Sequence, residues 1–274
     1  MRIGVVAPSA PIDLAVAERV TALATALFPD VELHVHPQCF LTHNHFAGED
    51  GARAAAFIEV ANDPELDAVW FARGGYGSCR IAEQVLARLG PAARDKTYLG
   101  YSDAGFLLAG LYARGFEVAH GPMAADAMRD EGEETIGRAL GWLVDRSAGG
   151  LEPSVGSAPT AAFNITVFSQ LLGTQLEPDL TNHVLMLEDV SEHTYRTDRS
   201  MFHITSTPSV RRVAGIRIGR CSLVPDNDPN FGETEEEVVR HWCARSGIPY
   251  LGAADIGHDA QNKVVPFGNA AQHR

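Results

Sequence analysis

The sequence predicts an α/β fold built on a parallel sheet, and two observations lead there. Short apolar runs alternate with helix-period patterns through the first half of the chain, as in strands joined by crossover helices. A Gly-, Pro- and Ser-rich stretch, "GGLEPSVGSAPTA" at 149–161, then breaks the alternation where a linker belongs. With 274 residues the chain exceeds an average domain of roughly 100 to 200 residues, so one large or two medium domains are expected. The expected division is a first domain at 1–150, a linker at 151–161 and a second domain at 162–274.

The elements follow in order. "RIGVVAP" reads as a strand, and "IDLAVAERVTALATALF" as a helix with Leu14, Val20, Leu23 and Leu27 on roughly one face. "VELHVH" is the second strand, "GARAAAFIEVAN" a helix, "LDAVWFA" the third strand and "CRIAEQVLARL" a helix. "TYLGY" is the fourth strand, and "FLLAGLYARG" a helix ended by Gly115. "FEVAHG" and the helix "EETIGRALGWLVDRSAG" close the first half. Past the linker come a helix near Ile165 to Leu172, a strand "HVLMLED", a helix after Tyr195 and a strand "VAGIRIG". An acidic-start helix "ETEEEVVRHWCARSG" and short strands around "YLGAAD" and "KVVPFG" complete the chain.

Composition narrows the function classes. Hydrophobic residues make up 45% and charged residues 21%, as in an ordinary globular protein. A formal net charge of -13 sets a field that repels phosphates, which argues against nucleic acid or an anionic membrane as partner. Cys39, Cys79, Cys221 and Cys243 lie far apart with no CxxC pair, which reads as buried thiols in a reducing compartment. The N-terminus "MRIGVVAPSAP" lacks the apolar core of a signal peptide, and no apolar run approaches the roughly 18 residues of a membrane span. A cytoplasmic protein is expected.

Four segments carry residues fit for chemistry. In "GYSDA" a strand turns sharply into a helix and lifts Ser102 above the sheet edge, where open α/β folds bind ligands. The pattern resembles a nucleophile elbow, with Ala104 in place of the final glycine; a serine there can also serve only as a helix cap. In "WFARGGYGSCRI" the run Arg73-Gly74-Gly75-Tyr76-Gly77 follows the third strand, and its amides can cradle a phosphate or form half of an oxyanion hole with the Asp103 amide. The loop lacks the P-loop lysine and the dinucleotide spacing. An apolar strand ends in Glu188-Asp189, with Glu192 close behind, and a carboxylate so placed can orient an imidazole. His258, in a turn between two apolar runs, is a candidate general base. His34, His36, His43 and His45 crowd one stretch, but without HExxH, and no metal is expected there.

Taken together, "GVVAPSAP", "FAGED", "RGGYGS", "GYSD", "HGPMAAD", "LLGT", "LEDVSEHTYRTDRSM" and "GHDAQNKVVPFG" occur in one order along nearly the whole chain. In this the sequence resembles the serine L,D-carboxypeptidase family, which includes the murein tetrapeptide carboxypeptidases and the microcin C immunity peptidases. The resemblance implies a flavodoxin-like N-terminal domain and a smaller β-rich α/β C-terminal domain, with the active site between them, commonly in a homodimer. It implies Ser102 as nucleophile, His258 as general base and Glu188, at the "LED" position, as the acid that orients it, with Glu192 as rival. Gly75, with Gly74 beside it, and Asp103 would supply the oxyanion amides. No cofactor is implied. The substrate would be a peptide with a free C-terminal carboxylate, met by Arg73 or Arg196. Where the family usually has Gly-Gly-Asn-Leu, this chain has Ala162-Phe163-Asn164-Ile165, which places an aromatic ring near the expected pocket, where it would serve as a platform for a nucleobase. Three readings follow: release of a terminal D-amino acid from a murein tetrapeptide, cleavage of peptidyl-aminoacyl nucleotides, or a ligand-binding protein in which Ser102 only caps a helix.

Overall fold

Period-two alternation buries both faces of the first sheet. In the computed structural model, which describes residues 1–269, β1 (Arg2–Val6), β2 (Glu32–Val35), β3 (Ala68–Phe71), β4 (Thr97–Gly100) and β5 (Glu117–His120) run parallel in the order β2-β1-β3-β4-β5. Ile3, Val5, Ala68 and Trp70 face α1 (Leu14–Leu27) and α6 (Gly132–Asp145). Val6, Val69 and Phe71 face the opposite layer of α2 (Asp50–Asn62), α3 (Ser78–Leu86) and α5 (Gly105–Tyr112). Because helices cover both sides, these strands read as continuous apolar runs. The order is the flavodoxin one, whose switch point lies between the carboxyl ends of β1 and β3. A short helix, α4 (Pro91–Arg94), precedes β4.

The second sheet is all parallel: β6 (Thr160–Asn164), β7 (Val184–Val190), β8 (Gly215–Ser222) and β9 (Tyr250–Ala253), in that order. Its crossovers carry α7 (Ile165–Leu171), α8 (Thr194–Ser206) and α9 (Glu235–Ser246). The start of α9 is written locally, since Thr234 and Glu237 form a reciprocal capping box. The last strand, β10 (Val265–Pro266), returns to the first sheet and pairs antiparallel with β5. The core under α5 runs on without a break into Phe163, Val167, Phe168 and Leu187 of the second sheet and its helix.

Two expectations need correction. Leu14 and Leu27 do not share the buried face of α1, which is made by Ala17, Val20, Leu23 and Ala24; Leu14 is 62% exposed. At 100° per residue Leu14 lies about 120° from Val20, off the buried stripe, and Leu27 sits in the last turn. The segment expected to be a loose linker reaches into β6, whose Thr160 and Ala161 are buried and pair with β7. Nothing in "TAAFN" announces a strand, and its buried parallel neighbour supplies the pattern. Within the same segment Glu152 is buried, its carboxylate accepting from the Asp255 and Ser154 amides.

Arg53, on α2, is fully buried and ties three loops at the carboxyl edge of the first sheet. Its guanidinium donates to the carbonyls of Pro8, Gly48 (3.3 Å) and Gly77 (2.9 Å), pairs with Asp50 and lies over the Phe46 ring. Arg53→Met leaves these acceptors unpaired. We expect a loss of about 3 kcal/mol and a melting temperature lower by roughly 6 to 12 °C in a thermal circular-dichroism scan; an unchanged scan would show that the clamp carries no stability.

Candidate active site

The turn after β4 is the starting point. Ser102 opens a short 3-10 turn, Ser102–Ala104, with φ of +61°, a left-handed conformation that side chains with a Cβ seldom adopt. Two contacts hold it there. The Asp103 carboxylate points down into the protein and accepts from Ser9 Oγ (2.5 Å) and the Ser78 amide (2.8 Å), while the Asp103 carbonyl accepts from Ser78 Oγ (2.5 Å). From above, the Gly74 backbone comes so close that a Cβ there would lie 2.9 Å from Ser102 Cβ and Oγ. Ser102 caps no helix: Tyr101 and Ala104 occupy the cap positions of the two adjoining turns.

His258 arrives from the other side of the cavity, in the turn after β9. Arg220 grips that turn by forking onto Asp259 (2.5 and 2.9 Å) and reaching Asp255 (2.5 Å), and Asn262 Oδ1 accepts from the Gly257 amide (3.2 Å). Glu188 stands near the end of β7 and is fully buried. The three side chains form a line. His258 Nε2 is 2.9 Å from Ser102 Oγ, and His258 Nδ1 is 2.5 Å from Glu188 Oε2. With Glu188 ionised, Nδ1–H donates to it, which leaves Nε2 as acceptor for the serine hydroxyl. The Tyr101 ring covers the imidazole at 4.9 Å between centroids.

Electrostatics set the proton positions. Burial, the largest single influence, pushes the His258 imidazolium towards neutrality, but the charge and hydrogen bond of Glu188, joined by the charges of Asp189 and Asp126, together outweigh it, and the net pKa lies above the ordinary 6.5. Burial pushes the Glu188 carboxyl up. Its Oε1 has no hydrogen-bond partner among the described residues, so His258 is the group that stabilises its anion. Nearby, His120 is buried, pushed down to about 4 by that burial, and thus neutral against Asn262 Oδ1 at 3.1 Å.

Ser102 and His258 open on a cavity of about 460 Å³ at the carboxyl edge of the first sheet. Of the other residues singled out in the sequence, Arg73, Gly74 and Gly75 line it, and Gly75 takes a φ of +111° open to glycine. Asp103 lies beneath it, with its side chain turned away. Phe163 does not reach the cavity. Its ring is buried between Phe168 and Phe267, at 4.9 and 5.0 Å, because β6 points it into the core shared with α5. Arg196 does not line it either; on the first turn of α8 it is exposed and pairs with Glu192 at 3.3 Å. Glu192 is thereby occupied away from His258, which Glu188 meets. The four histidines go separate ways: His34 accepts from Arg2, His36 accepts from the Gln38 amide, and His43 and His45 flank the Phe46 bridge.

Sequence reasoning missed Tyr101, Asp126 and Arg129, which also line the cavity. Arg129 Nε donates to Asp126 Oδ1 (2.6 Å), and Tyr101 OH joins both. The one local signal is Asp126 three residues before Arg129, a spacing too common to single out. Among the described residues, no helix is long and apolar enough to cross a membrane.

Comparison with known proteins fits this geometry. The chain matches the profile of the LD-carboxypeptidase N-terminal domain over residues 3–121 and that of the LD-carboxypeptidase C-terminal domain over 158–272. A Synechocystis protein provisionally named a carboxypeptidase is 31% identical over 240 residues, 84% of this chain and 78% of its own length. The murein tetrapeptide carboxypeptidase of Pseudomonas aeruginosa is 25% identical over 98% of this chain and 92% of its own. A crystal structure of muramoyltetrapeptide carboxypeptidase from Oxalobacter formigenes superposes with a TM-score of 0.83 at 21% identity, covering 98% of this chain and 93% of that one, which shows a shared fold.

The His258–Glu188 pair makes a prediction independent of any reaction. In an NMR titration the His258 imidazole should lose its proton above pH 6.5, and Glu188→Gln, which removes the counter-charge and keeps the burial, should move that step to lower pH. A step that stays in place in the variant would mean that Glu188 does not govern it.

Proposed function

Because the chain belongs to the LD-carboxypeptidase family, we propose that it is a serine peptidase that releases a C-terminal D-amino acid from a murein tetrapeptide through an acyl-enzyme. The observation that carries the reading is the Ser102–His258–Glu188 line at 2.9 and 2.5 Å, opening on a cavity large enough for a peptide end. Neutral His258 Nε2 takes the hydroxyl proton as Ser102 Oγ attacks the amide carbonyl, and Glu188 holds the Nδ1–H tautomer and stabilises the imidazolium. The Gly75 and Asp103 amides stabilise the oxyanion, each such donor lowering the barrier by roughly 3 to 4 kcal/mol. The imidazolium then protonates the departing amine. Water enters, gives its proton to His258 and attacks the ester carbonyl, and the acid product leaves with Ser102 restored.

The left-handed turn at Ser102 supports this reading, since it presents Oγ at the cavity wall while the Asp103 side chain points inwards. A purely ligand-binding role leaves the Ser102–His258 contact without a purpose. Cleavage of peptidyl-nucleotide conjugates uses the same three side chains, but the ring expected to stack on the base, Phe163, is in the core. The reading is tested by incubating the protein with L-Ala-γ-D-Glu-meso-diaminopimelyl-D-Ala and following D-alanine by mass spectrometry. The parent should release it and Ser102→Ala should fall by roughly 10⁴-fold or more. Absence of release from the parent would end the murein assignment and turn the search to nucleotide conjugates.

A further inference from the structure

We infer that Arg129 binds the free C-terminal carboxylate of the substrate, and so makes the enzyme an exopeptidase. The inference deepens the proposed function and rests on it. A carboxypeptidase acting through an amide has to recognise a carboxylate only two bonds beyond the scissile nitrogen, so the cation that holds it must stand in the same cavity as Ser102. Among the described residues, two arginines line that cavity. Arg73 is exposed, and the hydrogen bond recorded for its side chain is a long one to the Pro11 carbonyl, 3.3 Å. Arg129 is built in. Its side chain is 34% exposed, Nε is fixed by Asp126 at 2.6 Å and Nη2 by the Tyr101 hydroxyl at 3.2 Å.

The supports are themselves anchored. Asp126 spends its second oxygen on the Met123 amide at 2.8 Å, and Tyr101, 3% exposed, precedes Ser102 in the chain and packs on His258. The guanidinium is therefore held through Nε and Nη2 in the wall of the cavity that Ser102 also lines, and its planar fork suits a carboxylate there. Burial keeps Tyr101 protonated at all working pH values, so it remains a donor that props the site and adds no charge. In a chain of net charge -13, with Asp13 and Asp126 lining the same cavity, an anionic peptide end needs such a fixed cation to enter. Asp126 and Tyr101 act as positioning residues.

The test compares the tetrapeptide ending in D-alanine with the same peptide ending in D-alaninamide, by steady-state kinetics on the full chain. The parent should prefer the free acid by roughly 100-fold in kcat/KM, and Arg129→Gln should cut turnover of the acid to about that of the amide. Arg129→Lys, which keeps the charge but not the fork, should restore part of the preference and shows that the site folds. A preference that survives in Arg129→Gln overturns the inference. Equal use of acid and amide by the parent overturns it too and leaves the peptidase reading standing. If the parent cleaves neither peptide, the murein reading falls and the inference with it.

Discussion

The Asp103 carboxylate, sealed beneath the site, is the constraint on which the rest depends. Through Ser9 it holds the loop after β1 and through the Ser78 amide the start of α3, while the Asp103 carbonyl accepts from Ser78 Oγ and so ties the left-handed turn at Ser102 to the same helix. Three loops at the carboxyl edge of one sheet are thereby set against each other. A left-handed residue other than glycine costs free energy, and such a conformation persists only where its surroundings over-determine it. Here the Ser9 and Ser78 hydrogen bonds below and the close Gly74 backbone above do so. Burial raises the Asp103 pKa, and the three donors from Ser9 and Ser78 offset part of that cost.

The second half of the site is held by charge. Glu188 reaches His258 because β7 ends beneath the turn that follows β9, and that turn is clamped by the Arg220 fork on Asp255 and Asp259. A fully buried carboxylate with a single partner is costly, so the pair is sensitive to any change that removes either member. The cost falls at the imidazole that meets Ser102. Further out, Arg129 repeats the principle with opposite sign, a cation braced by Asp126 and Tyr101 and facing the same cavity.

The two sheets contribute different parts of one site because the core between them is continuous. Gly105 at the head of α5 leaves room for Val167, whose Cγ1 would lie 2.9 Å from a Cβ there, so the helix that follows the serine packs directly on α7. The return of β10 to β5 closes the other side and brings the His258 turn over the first sheet. Phe163, read as a pocket residue, belongs to this packing instead, stacked on Phe168 and edge-on to Phe267.

Much of the protein was legible one segment at a time. Alternating apolar runs and helical periods announced nine of the ten strands among the described residues, a sharp strand-to-helix turn was read at Ser102, and the family resemblance, through its "LED" and "GH" motifs, pointed at Glu188 and His258. The strands and the turn are properties of neighbouring residues, and local chemistry suffices to write them. β6 was hidden because "TAAFN" owes its strand to a buried parallel partner rather than to its own pattern. Arg129 and Arg196 look alike in sequence, each four residues or fewer from an acidic partner, yet one lines the cavity and the other is exposed beyond it. That choice is tertiary, because which face of a loop or helix meets a cavity depends on where elements far apart in the chain pack, and no local period encodes it.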